Sequence, residues 1–558
     1  MTVEEFLNNF DVLVDAPDGL KKLREICLSM AVRGKLVRQS QEEEPASKLF
    51  ERIRAGSGLE LASKQQSKLG ATKAEGTHAG FFEIPPTWQW ARFTDVAVIE
   101  SCLVDPSDFQ DLPHVAPDSI EKGTGRLLSY RTIREDAVTS PKHRFRAGQI
   151  LYSKIRPNLA KAVVVDFDGL CSADMYPISS KIEARYLLLY MLSNVFLSQV
   201  TQGDNRLAMP KINRQQLSAT VLPVPPVAEQ KRIAAKVDQL LAFCDELEAR
   251  QAEKRGTGTR LTQSALDALT SAQGPEEFAK AWQRVDKHFE MLVDGHERVG
   301  MLRKTILNLA IQGRLSKQDA AGESAAVLIK RVCDEREQFI RKGQMRRTDP
   351  VPQVGEDEQV FQIPDSWVWC RMEDVCIDSF YGPRFNKNEY SPDGVPTIRT
   401  TDMTEDGEIV LQTPPRVRVP SEKLRLYRLL RGDLIITRTG SIGTTAVFKG
   451  GYDAIPSAYL IRFRFSRLVE VDYIQIFLKS PFGQGLLQEE ATRMAQPNIS
   501  ATAIRRMPLP LPPSAEQRQI VSVVQRFMAL CDTLESKLRD EEQGAQRLAE
   551  AMAAEMVA

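Results

Sequence analysis

The stretch Ile84-Pro-Pro-Thr-Trp-Gln-Trp-Ala-Arg-Phe-Thr-Asp-Val96 decides the architecture, because it returns as Ile363-Pro-Asp-Ser-Trp-Val-Trp-Cys-Arg-Met-Glu-Asp-Val375. Seven of 13 positions are identical, including both tryptophans of a residue type used only five times in the chain. Leu23–Leu36 recurs as Leu302–Leu315 at the same spacing of 279 residues. Self-similarity at a fixed spacing is the signature of a repeated architecture, here a tandem duplication.

A third repeated block closes each copy. Leu222-Pro-Val-Pro-Pro-Val-Ala-Glu-Gln230 returns 287 residues later as Leu509-Pro-Leu-Pro-Pro-Ser-Ala-Glu-Gln517, so the second copy is eight residues longer between these blocks. The 558 residues are 27% charged and 42% hydrophobic, a composition able to bury cores. We therefore expect two matching halves of about 279 residues rather than several unrelated domains.

Each copy is predicted to begin and end with a helix. Apolar residues at steps of three and four predict leading helices, which end at Gly34 and Gly313, where a left-handed residue would follow the last turn. Alternating steps of four and three from Ile233 to Leu247 and from Ile520 to Leu538 predict trailing helices of about 23 residues. The glycine-containing segment 255–275 is expected to join the halves.

The segments between these helices predict an α+β fold. Short strands are expected at 149–153, 162–165, 434–437 and 459–463, and helices at 186–199 and 473–478. The predicted organisation is a tandem duplication with two α/β domains separated by long antiparallel coiled-coil-like helices on a pseudo-twofold frame. Its segments are an N-terminal helical arm (1–80), a first domain (81–225), a central helical spacer (226–350), a second domain (351–512) and a C-terminal spacer helix (513–558).

Motifs for catalysis and metal binding are missing from the sequence. It contains no GxxxxGK[ST], GxGxxG, HExxH or GxSxG. Glu229-Gln-Lys231 resembles a nuclease fragment, but its position after prolines favours a first-turn charge on a helix. The eight cysteines lack CxxC spacing and are expected to be buried thiols. No apolar run reaches the roughly 18 residues of a membrane span, and no signal peptide is recognisable, so we expect a cytoplasmic protein without catalytic or metal-binding residues.

The formal net charge of zero conceals two basic domains. Residues 141–165 contain six Lys and Arg and no acidic residue. Residues 410–470 contain eleven Lys and Arg against four acidic residues, whereas 515–558 contain five against eight. Because both matching domains have this bias, phosphate contacts are favoured over a merely solvated face, which remains the alternative for any single charge.

Arg, Asn and Gln also suit contacts with base edges. The predicted DNA-binding residues are Lys154, Arg156, Asn158, Lys161, Asn205, Arg206, Lys211 and Asn213 in the first copy, and Arg384, Asn386, Arg438, Ser441, Arg493, Gln496 and Asn498 in the second. The tryptophan pairs could stack on bases. Their alternating spacing after Ile-Pro favours instead a structural first strand in each domain.

The repeated blocks resemble the specificity subunit of type I restriction-modification systems. The resemblance lies in Ile-Pro-x-x-Trp-x-Trp-x-Arg at the start of each domain and Leu-Pro-x-Pro-Pro-x-Ala-Glu-Gln at its end, and covers nearly the whole chain. The stretches 149–157, 432–443 and 496–500 also resemble that family's recognition domains. The chain departs from the family in length, because 253–289 and the N-terminal arm are long.

The resemblance implies a non-catalytic DNA reader with two target recognition domains, each binding one half of a bipartite, asymmetric site on double-stranded DNA. It also implies two modification subunits, which methylate adenine with S-adenosylmethionine, and restriction subunits, which use ATP and Mg²⁺; no cofactor is expected on this chain. A trailing helix of about 23 residues would span roughly 35 Å, close to one DNA turn, and would set the gap between half-sites.

Two other functions remain open from the residues. A self-contained methyltransferase or nuclease would require catalytic motifs that the sequence lacks. A duplicated adaptor could bind protein without reading DNA, and would then show duplex binding that is absent or insensitive to salt.

Overall fold

The computed structural model describes residues 10–57, 81–201, 210–317, 322–343, 345, 347, 351–404, 406–492 and 498–557. The chain forms two compact units. The first contains residues 1–253 and 541–558, and the second contains residues 254–540. The two boundaries, after Glu253 and after Asp540, are 287 residues apart, so they fall at the same place in each copy.

Helices account for the ends of each copy and for short segments within the domains. They occupy Phe10–Asp15, Gly19–Val32, Ala46–Ser57, Phe93–Val96, Ala184–Leu192, Asn194–Thr201, Arg214–Ala219, Val227–Ser271, Pro275–Lys287, Phe289–Leu292, His296–Ile311, Ala325–Arg341, Met372–Val375, Ser421–Tyr427, Val471–Lys479, Pro481–Thr492, Ala501–Arg506 and Ser514–Val557. The single helix predicted over 186–199 is two helices, because Ser193 between them is extended, with ψ 154°.

The domain of the first unit is built on three sheets. Its strands are β1 (Gln89–Arg92), β2 (Ala97–Ile99), β3 (Leu103–Val104), β4 (Pro113–Val115), β5 (Arg131–Thr132), β6 (Lys142–Phe145), β7 (Ile150–Ser153), β8 (Ala162–Val164), β9 (Gly169–Cys171), β10 (Met175–Ser180) and β11 (Val221–Val224). β1 pairs with β11, and the larger sheets have the orders β2-β10-β7-β8 and β3-β6-β9-β4-β5. Tyr152, Tyr186 and Phe196 lie in the main core.

The domain of the second unit repeats the first two of these sheets. Its strands are β12 (Val368–Arg371), β13 (Cys376–Tyr381), β14 (Tyr390–Ile398), β15 (Arg416–Val417), β16 (Leu434–Thr437), β17 (Thr445–Val447), β18 (Ile455–Pro456), β19 (Leu460–Phe465) and β20 (Pro508–Leu511). β12 pairs with β20, the four-stranded sheet has the order β13-β19-β16-β17, and the third sheet is β15-β14-β18. The duplicated α+β domains and long helices expected from the sequence are confirmed.

The three repeated sequence blocks meet at one buried joint in the first copy. Gly34 ends the leading helix with φ +71°, and a Cβ there would lie 2.5 Å from Cγ of Pro85 and 3.2 Å from the Trp88 ring. The Trp88 indole Nε1 donates to Oε2 of Glu229 at 3.0 Å, and its ring makes an edge contact with Tyr186. Burial raises the pKa of the Glu229 carboxyl, opposed by hydrogen bonds from Trp88 and Gln39.

The second copy builds the same joint. Gly313 has φ +71°, and a Cβ there would lie 2.6 Å from Cγ of Pro364. The Trp367 Nε1 donates to Oε2 of Glu516 at 2.9 Å, and the Trp367 ring contacts Tyr473 edge-on. The predicted helix ends and the structural role of these first tryptophans are confirmed. The glutamates do lie in the first turn of each trailing helix, but they also accept the indole hydrogen bonds.

The trailing helices are about twice as long as predicted. They run from Val227 to Ser271 and from Ser514 to Val557, 45 and 44 residues, or about 67 Å at 1.5 Å per residue. The predicted match of about 35 Å to one DNA turn is therefore wrong. Each helix begins in the unit of its own domain and ends in the other unit, where Leu266 and Leu269 pack with Leu309, and Ala549 and Met552 pack with Leu13.

The segment 255–275, expected to join the halves, begins just after the boundary between the two units at Glu253, and most of it continues the trailing helix to Ser271. Two glycines in it do not end the helix, since a glycine inside a helix costs only about 1 kcal/mol relative to alanine. Gly258 also has a packing reason, because a Cβ there would lie 2.0 Å from Nη2 of Arg298. The Arg298 guanidinium donates in turn to the Met291 carbonyl at 3.0 Å.

Candidate nucleic-acid interface

A hairpin loop follows β7, one of the two inner strands of the four-stranded sheet in the first domain. It comprises residues 154–161, between β7 and β8, and is called here the first hairpin loop. Ser153 N donates to the Lys161 carbonyl at 2.9 Å and closes the loop. Lys154 N donates to the Asp174 carbonyl at 2.9 Å, and the Lys154 carbonyl accepts from Ile212 N at 2.9 Å.

The second domain has the same main-chain frame around residues 438–444, the second hairpin loop, between β16 and β17. Thr437 N donates to the Thr444 carbonyl at 3.0 Å. Arg438 N donates to the Tyr459 carbonyl at 3.0 Å, and the Arg438 carbonyl accepts from Ile499 N at 3.1 Å. Arg438 therefore takes the place that Lys154 has in the first domain.

Both hairpin loops turn through left-handed residues at matching positions. In the second hairpin loop these are Gly440 and Gly443, with φ +78° and +85°. In the first they are Arg156 and Ala160, with φ +48° and +46°. Left-handed φ in a residue other than glycine costs about 1–3 kcal/mol and concentrates at functional sites. The exposed Arg156 side chain is thus held on a strained turn.

On this frame the first domain carries two lysines around an aspartate. Lys154 Nζ donates to the Ala173 carbonyl at 2.6 Å, lies 3.7 Å from Oδ1 of Asp174, and stands 5.5 Å from the Tyr176 ring centroid. Lys211 Nζ lies 3.3 Å from the same Asp174 oxygen. The two lysines are therefore brought together by one carboxylate, and Lys211 remains exposed.

The second domain carries an arginine, an amide and a tyrosine at the matching place. Arg438 Nε donates to Oδ1 of Asn498 at 3.1 Å. Its guanidinium carbon lies 4.8 Å from the ring centroid of Tyr381, the last residue of β13. Ser441 and Tyr459 are exposed beside them. One fold position thus presents different hydrogen-bonding groups in the two domains.

The remaining predicted residues are placed as follows. Asn158 is exposed in the short turn Pro157–Leu159, and Lys161 Nζ donates to the Pro117 carbonyl at 2.7 Å. Asn213 Oδ1 caps the helix Arg214–Ala219 by accepting from Gln216 N at 2.8 Å. Arg384 and Asn386 are exposed beyond β13. Asn205, Arg206, Arg493 and Gln496 lie outside the described residues.

Part of the basic bias serves the fold rather than a partner. Arg462 is fully buried, donates to Asp378 and to the Leu426 carbonyl, and lies against the Phe380 ring. Arg464 binds the buried carboxylate of Asp433 through Nε and Nη2, both at 2.7 Å. These two of the eleven basic residues in 410–470 are therefore unavailable for phosphate contacts.

The duplicated domains match a known protein family. The family model for the type I restriction modification DNA specificity domain matches the chain twice, at residues 85–254 and 364–541. This chain belongs to the family of type I restriction-modification specificity subunits. The two matches also confirm the internal duplication.

The similarity to specificity subunits extends along the chain. The EcoEI specificity subunit of Escherichia coli is 30% identical over 565 residues, covering 96% of this chain and 93% of that protein. The EcoAI specificity subunit of the same species is 28% identical with the same coverages. A chain from a solved type I R-M system shares the fold at 20% identity and a TM-score of 0.52, over 85% of this chain and 99% of that one.

As a specificity subunit, the chain carries two target recognition domains, and the hairpin loops lie one in each. Within the described ranges, no group of three or more His, Cys, Asp and Glu side chains could hold a metal ion. The same ranges contain no helix long and apolar enough to cross a membrane. The eight cysteines are free thiols, and six of them are buried.

Sequence reasoning missed Tyr381, Asp174 and Tyr459. Tyr381 and Tyr459 meet Arg438 only because β13, β19 and β16 are neighbours in one sheet. No local pattern marks these residues. The signal that could have found them is the alignment of the two copies at the strand ends, since Asp174 and Tyr459 give the same main-chain hydrogen bond.

Proposed function

We propose that this chain is the non-catalytic DNA sequence-recognition subunit of a type I restriction-modification complex. Each target recognition domain reads one half of a bipartite, asymmetric duplex site, using the hairpin loop and its neighbours. The observation that carries this proposal is one main-chain frame that presents Lys154, Asp174 and Lys211 in one domain but Arg438, Tyr459 and Asn498 in the other. A protein that recognises two different half-sites with duplicated domains is expected to keep the same main-chain frame in both domains and to vary the side chains on it.

The proposed assembly follows from the family. Two modification subunits would bind S-adenosylmethionine and methylate an adenine in each half-site, which must leave the base stack to be modified. Restriction subunits would bind ATP and Mg²⁺. This chain would contribute position rather than chemistry, by deciding which adenines the modification subunits reach.

The proposal is tested by mapping methylated adenines in cells that express this chain with its modification partner. We expect a bipartite motif with an unspecified gap. Arg156→Ala should relax only one half of the motif, because Arg156 lies in the first hairpin loop alone. Relaxation of both halves together would contradict independent reading. Duplex binding by the complex that is absent or insensitive to salt would favour a protein-binding adaptor instead.

We further propose that the trailing helices set the gap. Both helices cross a unit boundary, after Glu253 and after Asp540. Insertion of four residues, about one turn, at both boundaries should lengthen the unspecified gap and leave the two half-sites unchanged. An unchanged gap in a complex that still methylates DNA would exclude this role.

A further inference from the structure

We propose that Arg438 reads a guanine in the half-site of the second target recognition domain, and that Asn498 and Tyr381 are positioning residues that hold its guanidinium. The inference rests on the proposed function and adds the base that this position recognises. A guanine presents two acceptors, O6 and N7, in the major groove, and arginine donates to both at once.

The Arg438 guanidinium is fixed in two independent ways. Its Nε donates to Oδ1 of Asn498 at 3.1 Å, and its carbon lies 4.8 Å from the Tyr381 ring centroid. Because the group is planar, a bond at Nε together with a ring contact restricts both its direction and its plane. Among the described residues, none accepts a hydrogen bond from Nη1 or Nη2. The Nη1 and Nη2 groups of Arg438 therefore form a pair of donors whose orientation is fixed before DNA binds.

The two positioning residues are themselves held by the main chain. Tyr381 Oη accepts from Ala501 N at 2.8 Å, at the start of a helix. Asn498 precedes Ile499, whose N–H donates to the Arg438 carbonyl at 3.1 Å. Holding the side chain before DNA arrives removes rotamer entropy that binding would otherwise cost.

A base edge explains this arrangement better than a phosphate does. A phosphate contact supplies position and charge, and an exposed arginine such as Arg384 can provide both without a fixed orientation. Discrimination between bases needs two donors at fixed separation and direction. The supports around Arg438 are what base reading requires.

The first domain provides a natural contrast. Lys154 stands at the matching main-chain position, but its Nζ already donates to the Ala173 carbonyl at 2.6 Å and lies near Asp174. A lysine ammonium is a point charge and cannot present a planar pair of donors. The guanine contact is therefore assigned to Arg438 and not to Lys154 at the matching position.

The test uses the assembled complex with its modification partner. After the methylated motif has been mapped for the natural chain, binding is measured by competition among duplexes that carry each base pair at every position of the second half-site. We expect Arg438→Ala to reduce the preference for one G·C pair by about 5- to 150-fold. Arg438→Lys should restore little of it, and Asn498→Ala should lose part of it, with the first half-site unchanged.

A modified base tests whether Arg438 contacts N7 of the guanine. Replacing that guanine by 7-deazaguanine removes the N7 acceptor, so it should weaken binding by the natural chain but not by Arg438→Ala. Arg431→Ala is the matched control, because this exposed arginine precedes β16 whereas Arg438 follows it. The control should leave every base preference unchanged.

Three results would overturn the inference. The first is a uniform loss of affinity for all duplexes in Arg438→Ala, with a salt dependence lowered by about one phosphate contact. The second is a base preference that Arg438→Ala leaves intact. The third is equal sensitivity to 7-deazaguanine with and without Arg438. Failure of the proposed function is distinguishable, because the natural complex would then show no bipartite motif. If Arg438→Ala does not fold, Arg438→Lys and Asn498→Ala decide the outcome.

Discussion

The Trp88–Glu229 hydrogen bond should be a measurable coupling between the first target recognition domain and its trailing helix. The indole Nε1 lies 3.0 Å from the carboxylate, Trp88 is 6% exposed and Glu229 is 1% exposed. Glu229→Ala removes the acceptor, Trp88→Phe removes the donor, and the double variant removes both. Comparison of the three isolates the pairwise energy.

The magnitude follows from what each variant leaves behind. Glu229→Ala leaves the buried indole N–H without an acceptor, at a cost of about 1–3 kcal/mol. Gln39 also loses its 2.7 Å bond to Glu229, but Gln39 is exposed and water can replace the carboxylate. Because a hydrogen bond to a charged group contributes about 1.5–3 kcal/mol, we expect a coupling energy in that range.

Urea unfolding of the full chain, followed by circular dichroism, measures the coupling. Hydrogen exchange of the peptides around β1 and β11 assigns the loss to the first unit. Trp90→Phe is the matched control, because Trp90 contacts Phe81 and Phe82, and within the described ranges no carboxylate accepts a hydrogen bond from its indole N–H. Combined with Glu229→Ala, it should be additive within about 0.5 kcal/mol. A Trp88–Glu229 coupling below about 0.5 kcal/mol would refute the expectation that this hydrogen bond couples the domain to its trailing helix.

Three further predictions concern single sites. Arg303→Ala should reduce the free energy of unfolding by about 1–2 kcal/mol in urea titrations, because Arg303 donates to Asp532 and Glu535 on the trailing helix; an unchanged midpoint would contradict this. Ala549→Asp should speed hydrogen exchange in 10–32, since it buries an unpaired charge beside Leu13, whereas the exposed Ala551→Asp should not. Arg156→Gly should raise the free energy of unfolding in urea titrations by about 1 kcal/mol, because relief of about 1–3 kcal/mol of left-handed strain is partly offset by the about 0.5–1 kcal/mol that glycine's backbone freedom costs; it should also weaken duplex binding, and a lower free energy of unfolding would contradict the strain.

Local features of the fold could be predicted from the sequence because their causes are local. Gly34 and Gly313 end the leading helices with φ +71°, as the glycine after a run of apolar steps indicates. The strands at 150–153 and 434–437 are β-branched, aromatic or leucine-rich and are fully buried. Because the chain is duplicated, each of these elements could be predicted from two matching stretches of sequence.

The length of the trailing helices could not be predicted, because its causes are distant in sequence. Beyond Leu247 the regular apolar steps stop, and Gly256 and Gly258 suggest an interruption. The helix continues because Leu266 and Leu269 pack with the leading helix of the second copy, and Arg298 fills the space beside Gly258. Tertiary packing outweighed the local glycine cost.

The candidate site was predicted in composition but not in its contacts. Lys154, Arg438 and Asn498 follow from a search for basic and amide residues, yet Asn498 is 60 residues from the arginine it holds. Charge counting also could not distinguish Arg438 from the buried Arg462, whose partner Asp378 lies 84 residues away. Only the strand order of the sheet distinguishes Arg438, for which we propose a base contact, from Arg462, which is buried in the fold.

The main-chain hydrogen bonds around the hairpin loops explain how specificity could change without loss of the fold. The frame around each hairpin loop is held by main-chain N–H and carbonyl groups, from Ser153 to Lys161 in one domain and from Thr437 to Thr444 in the other. These main-chain hydrogen bonds do not depend on the identity of the side chains, so the equivalent position can hold Lys154 in one domain and Arg438 in the other. The main chain itself constrains substitution where φ is positive. There the second domain uses glycine, and the first accepts strain at Arg156 to keep a charged side chain in the loop.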